Sequence, residues 1–456
     1  MNQNSKGEIA MTEMNNMKRR DFVKSAVAGG VALNLMGMRG PASARQLGAN
    51  DRINTAHVGV GGQGTGLLRQ VVKRAEGEGG VKVVAVCDLY TRRMNRAKEL
   101  AGLDDSGTYH DYRELLQRDD IDVVFIATPD HWHAPIAIAA MKSGRDIYLE
   151  KPMTRTVEEA KAVYEASIKY NRIHQGGASG ASSPWCWEAR SAIADGLIGK
   201  VIWAQTSYSR NNPNGEWNWS IDKDAGPTGS GDDFVDWKMW LGSAKKRDWS
   251  PDRFFRFRKF WDYSGGIATD LMYHRLTPLH IAWGEGFPKR AVGTGGNWFC
   301  SNIIDPTTQK PDVREVPDTF ILSADYWAGH SVNIPSSMAN DTGVPTIIRG
   351  NKADLYEERR SIRIVPQSPF REEFKKKYGK EEMIIETQQR EDHMGNFFAC
   401  VRSREQPTLN ALTAYQVMCT IGMSVESYKS ARHLFFDEKK QKVTTKPFKE
   451  MFGWVS

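Results

Sequence analysis

The sequence predicts an α/β protein in which a doubly wound parallel sheet is followed by a second domain. Apolar, strand-like runs alternate with segments of helical periodicity between residues 53 and 150, which is typical of such a sheet. Glycines interrupt the chain directly after the first of these runs. The 456-residue chain also exceeds what one hydrophobic core usually fills, which favours two domains.

The first predicted strand ends in a glycine-rich turn, and a helical pattern follows it. Gly59, Gly61 and Gly64 occupy the positions of a G-x-G-x-x-G motif, with Gly62 and Gln63 between them. Glycines at this spacing allow a tight turn, a close approach of the backbone to a pyrophosphate, and close packing of helix on strand. The amides of the helix N-terminus then bind phosphate oxygens. We interpret these five residues as the phosphate-binding part of a dinucleotide site.

The second predicted strand, Val81–Cys87, ends in Asp88. A carboxylate at this position accepts hydrogen bonds from an adenosine ribose, which favours NAD over NADP as the cofactor. Arg92 and Arg93 follow one turn later and are an alternative partner for a 2′-phosphate. NADP therefore stays an alternative to NAD at this point.

Two further apolar runs, at residues 122–127 and 146–149, predict the third and fourth strands. The carboxyl ends of parallel strands lie at one edge of the sheet, where doubly wound proteins bind their ligands. The residues that follow these two strands are therefore candidate cofactor contacts: Thr128, Pro129, His131, His133, Glu150 and Lys151.

Together these motifs resemble those of the Gfo/Idh/MocA family of oxidoreductases, which includes glucose–fructose oxidoreductase and inositol dehydrogenase. The resemblance extends over residues 53–435 and includes the segment from Asp270 to His274. It implies an N-terminal Rossmann domain and a C-terminal α+β domain with an open, mostly antiparallel sheet. It also implies NAD(P)-dependent hydride transfer between the nicotinamide and a ring hydroxyl or ketone of a sugar, glycoside or cyclic polyol.

The resemblance assigns roles to the residues after the fourth strand. It places Lys151 beside the nicotinamide, where it helps in proton transfer, and it gives Glu150 a contact with a cofactor ribose. Without the motif, Lys151 would be interpreted as a surface residue at a strand end. His131 and His133 could form part of a metal site, but no third ligand stands at a convincing spacing, so we expect no metal.

A second candidate catalytic pair is formed by Asp270 and His274. Residues four apart on a helix share one face, so the carboxylate is expected to orient the imidazole or share a proton with it. Such a pair suits acid–base chemistry on a sugar hydroxyl. The alternative is an ordinary surface pair, but apolar neighbours favour a buried helix start. The resemblance places the substrate-proximal pair of the family here.

Aromatic and basic residues are the candidate substrate contacts. The strand-like segment 201–210 and the resemblance together place Tyr208, Arg210, Trp217 and Trp219 near the substrate, and Trp132 is added from the first domain. Such rings stack on sugars, although large aromatics are as often part of a core or an interface. We expect a small-molecule carbohydrate as substrate, and a homo-oligomer, a dimer or tetramer, since the open sheets of this family pair between subunits.

The first 44 residues are predicted to be a signal peptide. A basic segment that contains Arg19 and Arg20 is followed by an uncharged stretch and by Ala42-Ser43-Ala44, the order of a signal sequence with its cleavage site. The adjacent arginines resemble a twin-arginine signal, which implies export of the folded protein to the periplasm. No other stretch is long and apolar enough to span a membrane, so we expect no span in the mature form.

The predicted domains are residues 50–175 for dinucleotide binding and residues 176–456 for substrate binding and oligomerisation. By resemblance, helices near residues 392–430 pack back towards the first domain. The net charge of +7 is spread along the chain, which argues against nucleic acid as a partner. The five cysteines include no C-x-x-C pair and are expected to be buried, inert thiols.

Two other functions compete with a dehydrogenase. One is an NAD-dependent glycosidase, similar to the α-N-acetylgalactosaminidases related to this family, in which transient oxidation allows elimination of the aglycone. The sequence shows no paired carboxylates for direct hydrolysis, so a glycosidase would have to use this redox route. The other is a sugar-binding protein with a structural dinucleotide, which the presence of Lys151, Asp270 and His274 disfavours.

Overall fold

The computed structural model describes residues 51–448 except residues 78 and 285, and the predicted signal peptide lies outside this range. The N-terminal part contains a six-stranded parallel sheet with the strand order β3-β2-β1-β4-β5-β6. Its strands are β1 (Ile53–Val58), β2 (Val81–Cys87), β3 (Thr108–Tyr109), β4 (Val123–Ile126), β5 (Asp146–Leu149) and β6 (His174–Gly176). The connecting helices are α1 (Gly62–Gly77), α2 (Thr91–Ala101), α3 (Tyr112–Leu115), α4 (Asp130–Lys142) and α5 (Val157–Lys169).

The strand order explains where a ligand binds on this sheet. The connections run in opposite directions from β1, towards β2 on one side and towards β4 on the other. At such a switch point a crevice opens at the carboxyl ends of the strands. All four residues of β4 are buried, as expected for a strand covered by helices on both faces of its sheet.

The C-terminal part is built around a ten-stranded sheet of order β16-β15-β14-β13-β7-β11-β10-β9-β17-β18. Every pair in it is antiparallel except β7 with β11. Its strands are β7 (Val201–Gln205), β9 (Pro288–Gly296), β10 (Thr319–Tyr326), β11 (Ser331–Ser337), β13 (Ile347–Gly350), β14 (Ala353–Glu357), β15 (Ser361–Pro366), β16 (Met383–Glu386), β17 (Leu434–Asp437) and β18 (Lys442–Thr444); β8 (Arg210–Asn211) and β12 (Ala339–Asn340) form a separate pair. The predicted fold class, a doubly wound sheet followed by a mostly antiparallel one, is confirmed.

The second part of the chain also contains helices, of which Pro184–Ala194 and Ala411–Ser430 pack against strands of the large sheet. The helices are α6 (Pro184–Ala194), α7 (Trp237–Leu241), α8 (Pro251–Phe255), α9 (Tyr273–Trp283), α10 (Arg371–Tyr378), α11 (His393–Ser403) and α12 (Ala411–Ser430). Helix α12 is buried over most of its length because it packs against both β9 and α5. Helix α11 contacts the first sheet, where Phe397 and Phe398 lie 5.9 and 6.0 Å from the ring of Phe125.

One face of the large sheet retains exposed apolar side chains. Trp203 and Ile321 are each 38 % exposed on this face, whereas Ile202, next to Trp203 in β7, points to the opposite face. In the described part of the chain, no helix combines the length and the hydropathy that crossing a bilayer requires. The five cysteines, Cys87, Cys186, Cys300, Cys400 and Cys419, are buried and unpaired.

Six buried or half-buried histidines predict a steep loss of stability in acid. Burial lowers the pKa from 6.5 to about 3 for His57 and His131, and to about 4 for His174, His274, His280 and His330. These rings take up protons near pH 6.5 when the chain is unfolded, but not when it is folded. Their contribution to stability is therefore complete above pH 6.5 and is lost as the pH falls towards 4.

We expect the free energy of unfolding in urea to fall by about 1.4 kcal/mol per histidine for each pH unit below 6.5. Measurements at pH 7.5, 5.5 and 4.5 test this. A His57→Phe variant is a matched control, because it keeps a ring stacked on Phe125, 4.6 Å away, and should reduce the pH slope by one proton. Equal stability at all three pH values would contradict the assignment of neutral buried rings.

Candidate active site

A cavity of ≈ 420 Å³ lies at the carboxyl ends of β1, β2, β4 and β5. Its wall combines the glycine loop, the strand-end residues and aromatic side chains from the second half of the chain. Of the candidate site residues, those that line it are Gly59, Gly61, Gly62, Gln63, Asp88, Thr128, Pro129, Trp132, Glu150, Lys151 and Trp219. The residues that follow four separate strands in the sequence are thus brought to one cavity.

The glycine loop has backbone contacts that a side chain would prevent. Gly59 has a φ of +83°, and a Cβ on it would lie 2.8 Å from the carbonyl carbon of Ala127. A Cβ on Gly64 would lie 1.8 Å from the carbonyl oxygen of Gly59. A Cβ on Gly62, at the start of α1, would instead meet nothing within 4 Å. The helix start is therefore open to the cavity, and this cradle fits the pyrophosphate of a dinucleotide.

Asp88 fixes the end of β2 against the glycine loop. Its carboxylate accepts hydrogen bonds from the backbone N–H of Val60 at 2.8 Å and of Tyr90 at 2.9 Å. These two bonds hold the side chain in the cavity wall, and each carboxylate oxygen keeps a further lone pair. Asp88 is therefore positioned to accept a hydrogen bond from a ribose hydroxyl.

The two arginines after Asp88 have different environments. Arg92 pairs with the carboxylates of Asp222 and Asp233. Arg93 lines the cavity, where its guanidinium lies over the rings of Phe254 and Phe255 at 5.2 and 5.3 Å. Burial lowers the pKa of Arg93. Arg92 is thus already engaged by two carboxylates, and Arg93 is the cation at the dinucleotide end of the cavity.

Lys151 and Asp270 form the charged centre at the other end of the cavity. The Lys151 ammonium donates to the Asp270 carboxylate at 2.6 Å and lies 3.3 Å from the Asp270 carbonyl oxygen. Arg258 Nε donates to the same carboxylate oxygen at 2.8 Å, and Trp217 Nε1 donates to the second oxygen at 3.2 Å. Burial alone would raise the pKa of Asp270, but the charges of Arg258 and Lys151 outweigh it and hold this pKa far below its ordinary value.

Trp217 reaches Asp270 from a strained backbone position. It is fully buried and adopts a φ of +70°, a region that bulky side chains rarely occupy. Strain of this kind persists only where surrounding contacts enforce it. The hydrogen bond to Asp270 is one such contact, so Trp217 helps to fix the carboxylate that holds Lys151.

Glu150 connects the lysine to the glycine loop. It is 3 % exposed, and its carboxylate accepts from Gln63 Nε2 at 2.8 Å and from the Lys151 backbone N–H at 3.1 Å. Burial raises the pKa of Glu150, while the charge of Lys151 and the Gln63 hydrogen bond act in the opposite direction. Gly177 lies against it, because a Cβ there would be 2.7 Å from the Glu150 Cα. Glu150 is therefore held rigidly between Gln63 and Lys151.

The predicted hydrogen-bonded pair of Asp270 and His274 is wrong. Asp270 lies in a π-helical turn, Ala268–Met272, that precedes α9, so the spacing of an ordinary α-helix does not apply. Its carboxylate is used by Lys151, Arg258 and Trp217. His274 instead packs its ring against Tyr208 at 5.8 Å. Burial, with the charge of Lys151, lowers the pKa of His274 to about 4, so its ring is neutral at neutral pH.

His131 and His133 do not line the cavity, which corrects the expectation that they contact cofactor or substrate. His131 donates to the Trp240 carbonyl at 3.0 Å. The ring nitrogens of His133 lie 2.7 Å from the Pro152 carbonyl oxygen and 2.9 Å from that of Thr128. Both side chains are buried, at 3 and 1 % exposure. They stabilise the cavity wall from outside the cavity, because their ring nitrogens contact the backbone carbonyls of Trp240, Pro152 and Thr128.

Tyr208, Arg210 and Gly64 also lie outside the cavity lining. Arg210 pairs with Glu216 at 2.8 Å and stacks over the Tyr208 ring at 4.8 Å, so these side chains form a cluster with His274. Gly64 acts through packing, as its contact with Gly59 shows. Within the described residues, no group of three or more His, Cys, Asp or Glu side chains is arranged to hold a metal ion.

Sequence reasoning missed Arg258 and the contact of Trp217 with Asp270. Arg258 lines the cavity within the run Phe254–Phe260, where phenylalanines alternate with basic residues just before a Gly-Gly turn. That pattern does not single out Arg258, because Arg256 in the same run is fully buried and bonded to Trp219, Asp252, Asp305 and Thr307. The Trp217 contact had no local signal, because 53 residues separate it from Asp270.

Two family models match consecutive parts of the chain. Residues 53–177 match the model described as oxidoreductase family, NAD-binding Rossmann fold, and residues 188–286 match the C-terminal alpha/beta domain of the same Gfo/Idh/MocA family. The predicted NAD-binding domain is thereby confirmed. The matched ranges include the glycine loop, Asp88, Lys151, Arg258 and Asp270.

The similar curated proteins are matched over part of their length. A levoglucosan dehydrogenase of Pseudarthrobacter phenanthrenivorans is 37 % identical over 123 residues, which is 26 % of this chain and 32 % of the relative. Glycosyl hydrolase family 109 proteins of Saccharopolyspora erythraea and Shewanella baltica are 28 and 33 % identical over 217 and 177 residues, which cover 42 and 34 % of this chain and 46 and 38 % of the relatives. The chain thus matches between about a third and a half of the length of these relatives.

Solved structures match almost the whole described fold. A levoglucosan dehydrogenase in complex with NADH has a TM-score of 0.62 at 19 % identity, covering 84 % of this chain and 98 % of that one. An aldose–aldose oxidoreductase from Caulobacter crescentus has a TM-score of 0.59 at 16 % identity, covering 84 and 100 %. At such identities the likeness establishes the fold alone. The two family models show that residues 53–177 and 188–286 of this chain are domains of the Gfo/Idh/MocA oxidoreductase family.

Proposed function

We propose that this protein is an NAD-dependent oxidoreductase that transfers a hydride between the nicotinamide and a ring hydroxyl or ketone of a sugar, glycoside or cyclic polyol. One observation carries the proposal: Lys151, which Asp270 holds by an ion pair from behind the wall, lines the same cavity as the glycine loop and Asp88. A proton-transfer group and a dinucleotide cradle are therefore within one enclosed space. A dehydrogenase among the named relatives supports this reading.

The residues of the cavity fit NAD from one end to the other. The glycine loop and the start of α1 would bind the pyrophosphate, Asp88 the adenosine ribose, and Glu150 the second ribose. Bound NAD supplies a hydride acceptor, or a donor in its reduced form. Lys151, fixed by Asp270, is placed to exchange a proton with the substrate oxygen. Neutral His274, whose ring packs against Tyr208 outside the cavity lining, is the second candidate proton acceptor.

A redox-eliminating glycosidase is the second candidate, and the glycosyl hydrolase family 109 relatives favour it. The two activities differ in where the hydride ends. A dehydrogenase converts one NAD for each substrate consumed unless a keto acceptor is supplied, whereas an eliminating glycosidase returns the hydride within its cycle.

The test supplies neutral and acidic sugars and aryl glycosides with NAD in deuterated buffer. We expect reduced nicotinamide in proportion to product, or turnover that depends on an added keto acceptor. Aglycone release far beyond the bound cofactor, with deuterium beside the oxidised carbon and no net reduced nicotinamide, would decide for the glycosidase.

Asp88 is expected to determine the preference for NAD. Its charge repels a 2′-phosphate. Of the two arginines that could bind that phosphate, Arg92 is held by Asp222 and Asp233, and Arg93 lies over the rings of Phe254 and Phe255. An Asp88→Asn variant should lose about tenfold or more of the ratio of NAD to NADP affinity, the usual effect of a charge-assisted hydrogen bond. Calorimetric titration with both cofactors measures this, and Asp105→Asn, 92 % exposed, is the control. Tighter binding of NADP than NAD by the unsubstituted protein would refute the preference.

We also propose that residues 1–44 are a twin-arginine signal and that the mature protein is periplasmic. The order of basic segment, uncharged stretch and Ala-Ser-Ala supports this. Replacing Arg19 and Arg20 with lysine should leave precursor in the cytoplasm, and unchanged export on fractionation would rule out this route.

A homo-oligomer formed through the large sheet is a further part of the proposal. The exposed side chains of Trp203 and Ile321 on one face of that sheet support it. Light scattering of the mature protein should give a mass of two or four chains. A monomer at micromolar concentration would contradict the assignment.

A further inference from the structure

Arg258 presents an unused hydrogen-bonding edge to the cavity. Its Nε is bound to Asp270, but neither Nη has a hydrogen-bond partner among the residues that the structure describes. The side chain lines the cavity and is 19 % exposed. The guanidinium also lies over the ring of Phe257 at 4.6 Å and over that of Trp219 at 5.2 Å. Three contacts therefore fix its plane and leave the two Nη groups for a ligand.

Arg256, two residues earlier, differs from Arg258 because all of its guanidinium nitrogens have hydrogen-bond partners. Its Nε donates to the Trp219 carbonyl at 2.7 Å, and its Nη groups bond Asp252, Asp305 and Thr307. It is fully buried, so its whole guanidinium serves the fold. Arg258 uses a single donor, Nε, in a hydrogen bond to a described residue, so its Nη groups are available to a ligand.

The charges at this end of the cavity also favour an anion. Asp270 is shared by Lys151 and Arg258, so one carboxylate faces two cations. Besides Asp88 at the dinucleotide end, the carboxyls in the wall are those of Asp130 and Glu150, and burial raises the pKa of both, which opposes their negative charge. His274 is neutral at neutral pH.

We propose that Arg258 binds a carboxylate of the substrate, and that the substrate is therefore an acidic sugar of the hexuronate type or a glycoside of one. The two Nη groups form a fork that matches the two oxygens of a carboxylate. The same wall holds Lys151, so a sugar bound through its carboxylate presents its ring to the proton-transfer group. This inference rests on the proposed function, because it names the substrate class of that site.

The test compares matched pairs of sugars with NAD: D-glucuronate with D-glucose, and methyl glucuronide with methyl glucoside. Glucose 6-phosphate is the third arm, because a guanidinium fork also binds phosphate. We expect kcat/KM at least tenfold higher for the uronate of each pair. In Arg258→Met this ratio should fall at least tenfold, and Arg258→Lys should recover part of it. Lys151→Met should slow both members without changing the ratio.

The outcomes distinguish failure of the carboxylate-binding role of Arg258 from failure of the proposed oxidoreductase function. Turnover of neutral sugars only, an unchanged ratio in Arg258→Met, or a preference for the phosphate overturns the inference and leaves the oxidoreductase standing. If no sugar reduces NAD, the proposed function fails for this panel, and calorimetric titration of the NADH-loaded protein with glucuronate then decides on Arg258. Binding that Arg258→Met abolishes supports the inference, and absence of binding contradicts it.

Discussion

Replacing Lys151 with methionine is expected to lower turnover by about 100- to 10,000-fold, the usual effect of removing a positioned acid–base group. Lys151 is the proposed proton-transfer group, and Asp270 holds its ammonium at 2.6 Å at the end of the cavity where the sugar is expected to bind. Folding should survive, since Arg258 still neutralises Asp270 at 2.8 Å. The loss should appear in kcat at saturating sugar and NAD.

Lys161→Met is the matched control for this variant. Lys161 lies on the outer surface of α5, 35 % exposed and 3.7 Å from Glu165, and its replacement should leave turnover within about twofold, as surface changes rarely matter. His274→Ala should also lower turnover, since it removes the neutral imidazole that is the second candidate proton acceptor and that packs against Tyr208 outside the cavity lining. Wild-type rates in Lys151→Met on a verified substrate would make the lysine structural. If His274→Ala were silent as well, the site would be misplaced.

Gly64→Ala is expected to abolish NAD binding and to destabilise the protein by about 1–3 kcal/mol or more. The added Cβ would lie 1.8 Å from the Gly59 carbonyl oxygen, so α1 and the strand-end turn must move apart. That movement displaces the amides that would bind the pyrophosphate. Thermal unfolding and calorimetric titration with NAD measure the two effects separately.

Gly66→Ala provides the comparison within the same helix. A Cβ on Gly66 meets nothing within 4 Å, and alanine is the better helix former by about 1 kcal/mol, so this variant should be as stable as the original or more so. Its NAD affinity should be unchanged. Equal behaviour of the two alanine variants would show that close packing at Gly64 does not shape the cofactor site.

The parts of the site that follow strands could be predicted from the sequence because they depend on local patterns. An apolar run such as β4 identifies a buried strand, and parallel strands necessarily end at one edge. Asp88 and Lys151 each follow such a run directly. They line one cavity because the alternation of strands and helices in the sequence predicts a parallel sheet, and the strands of such a sheet end at the same edge.

The predictions that were wrong concern side chains whose partners lie in distant segments of the chain. The Asp270–His274 pair assumed α-helical spacing, whereas the chain there forms a π turn and Asp270 pairs with Lys151, 119 residues away. His131 and His133 stand at a strand end, but which side of the wall each ring occupies is set by the carbonyls of Trp240 and Pro152. No periodicity in the sequence encodes those partners.

The proposal that this cavity binds NAD is tested most directly by the dinucleotide content and the dinucleotide affinity of the purified protein. Denatured protein is assayed for released NAD or NADH, and the stripped protein is titrated with NAD by calorimetry. We expect one bound dinucleotide per chain and a higher affinity for NAD than for NADP. Absence of released dinucleotide together with no heat of NAD binding would contradict it, because every role assigned to Gly59, Asp88 and Lys151 depends on that cofactor.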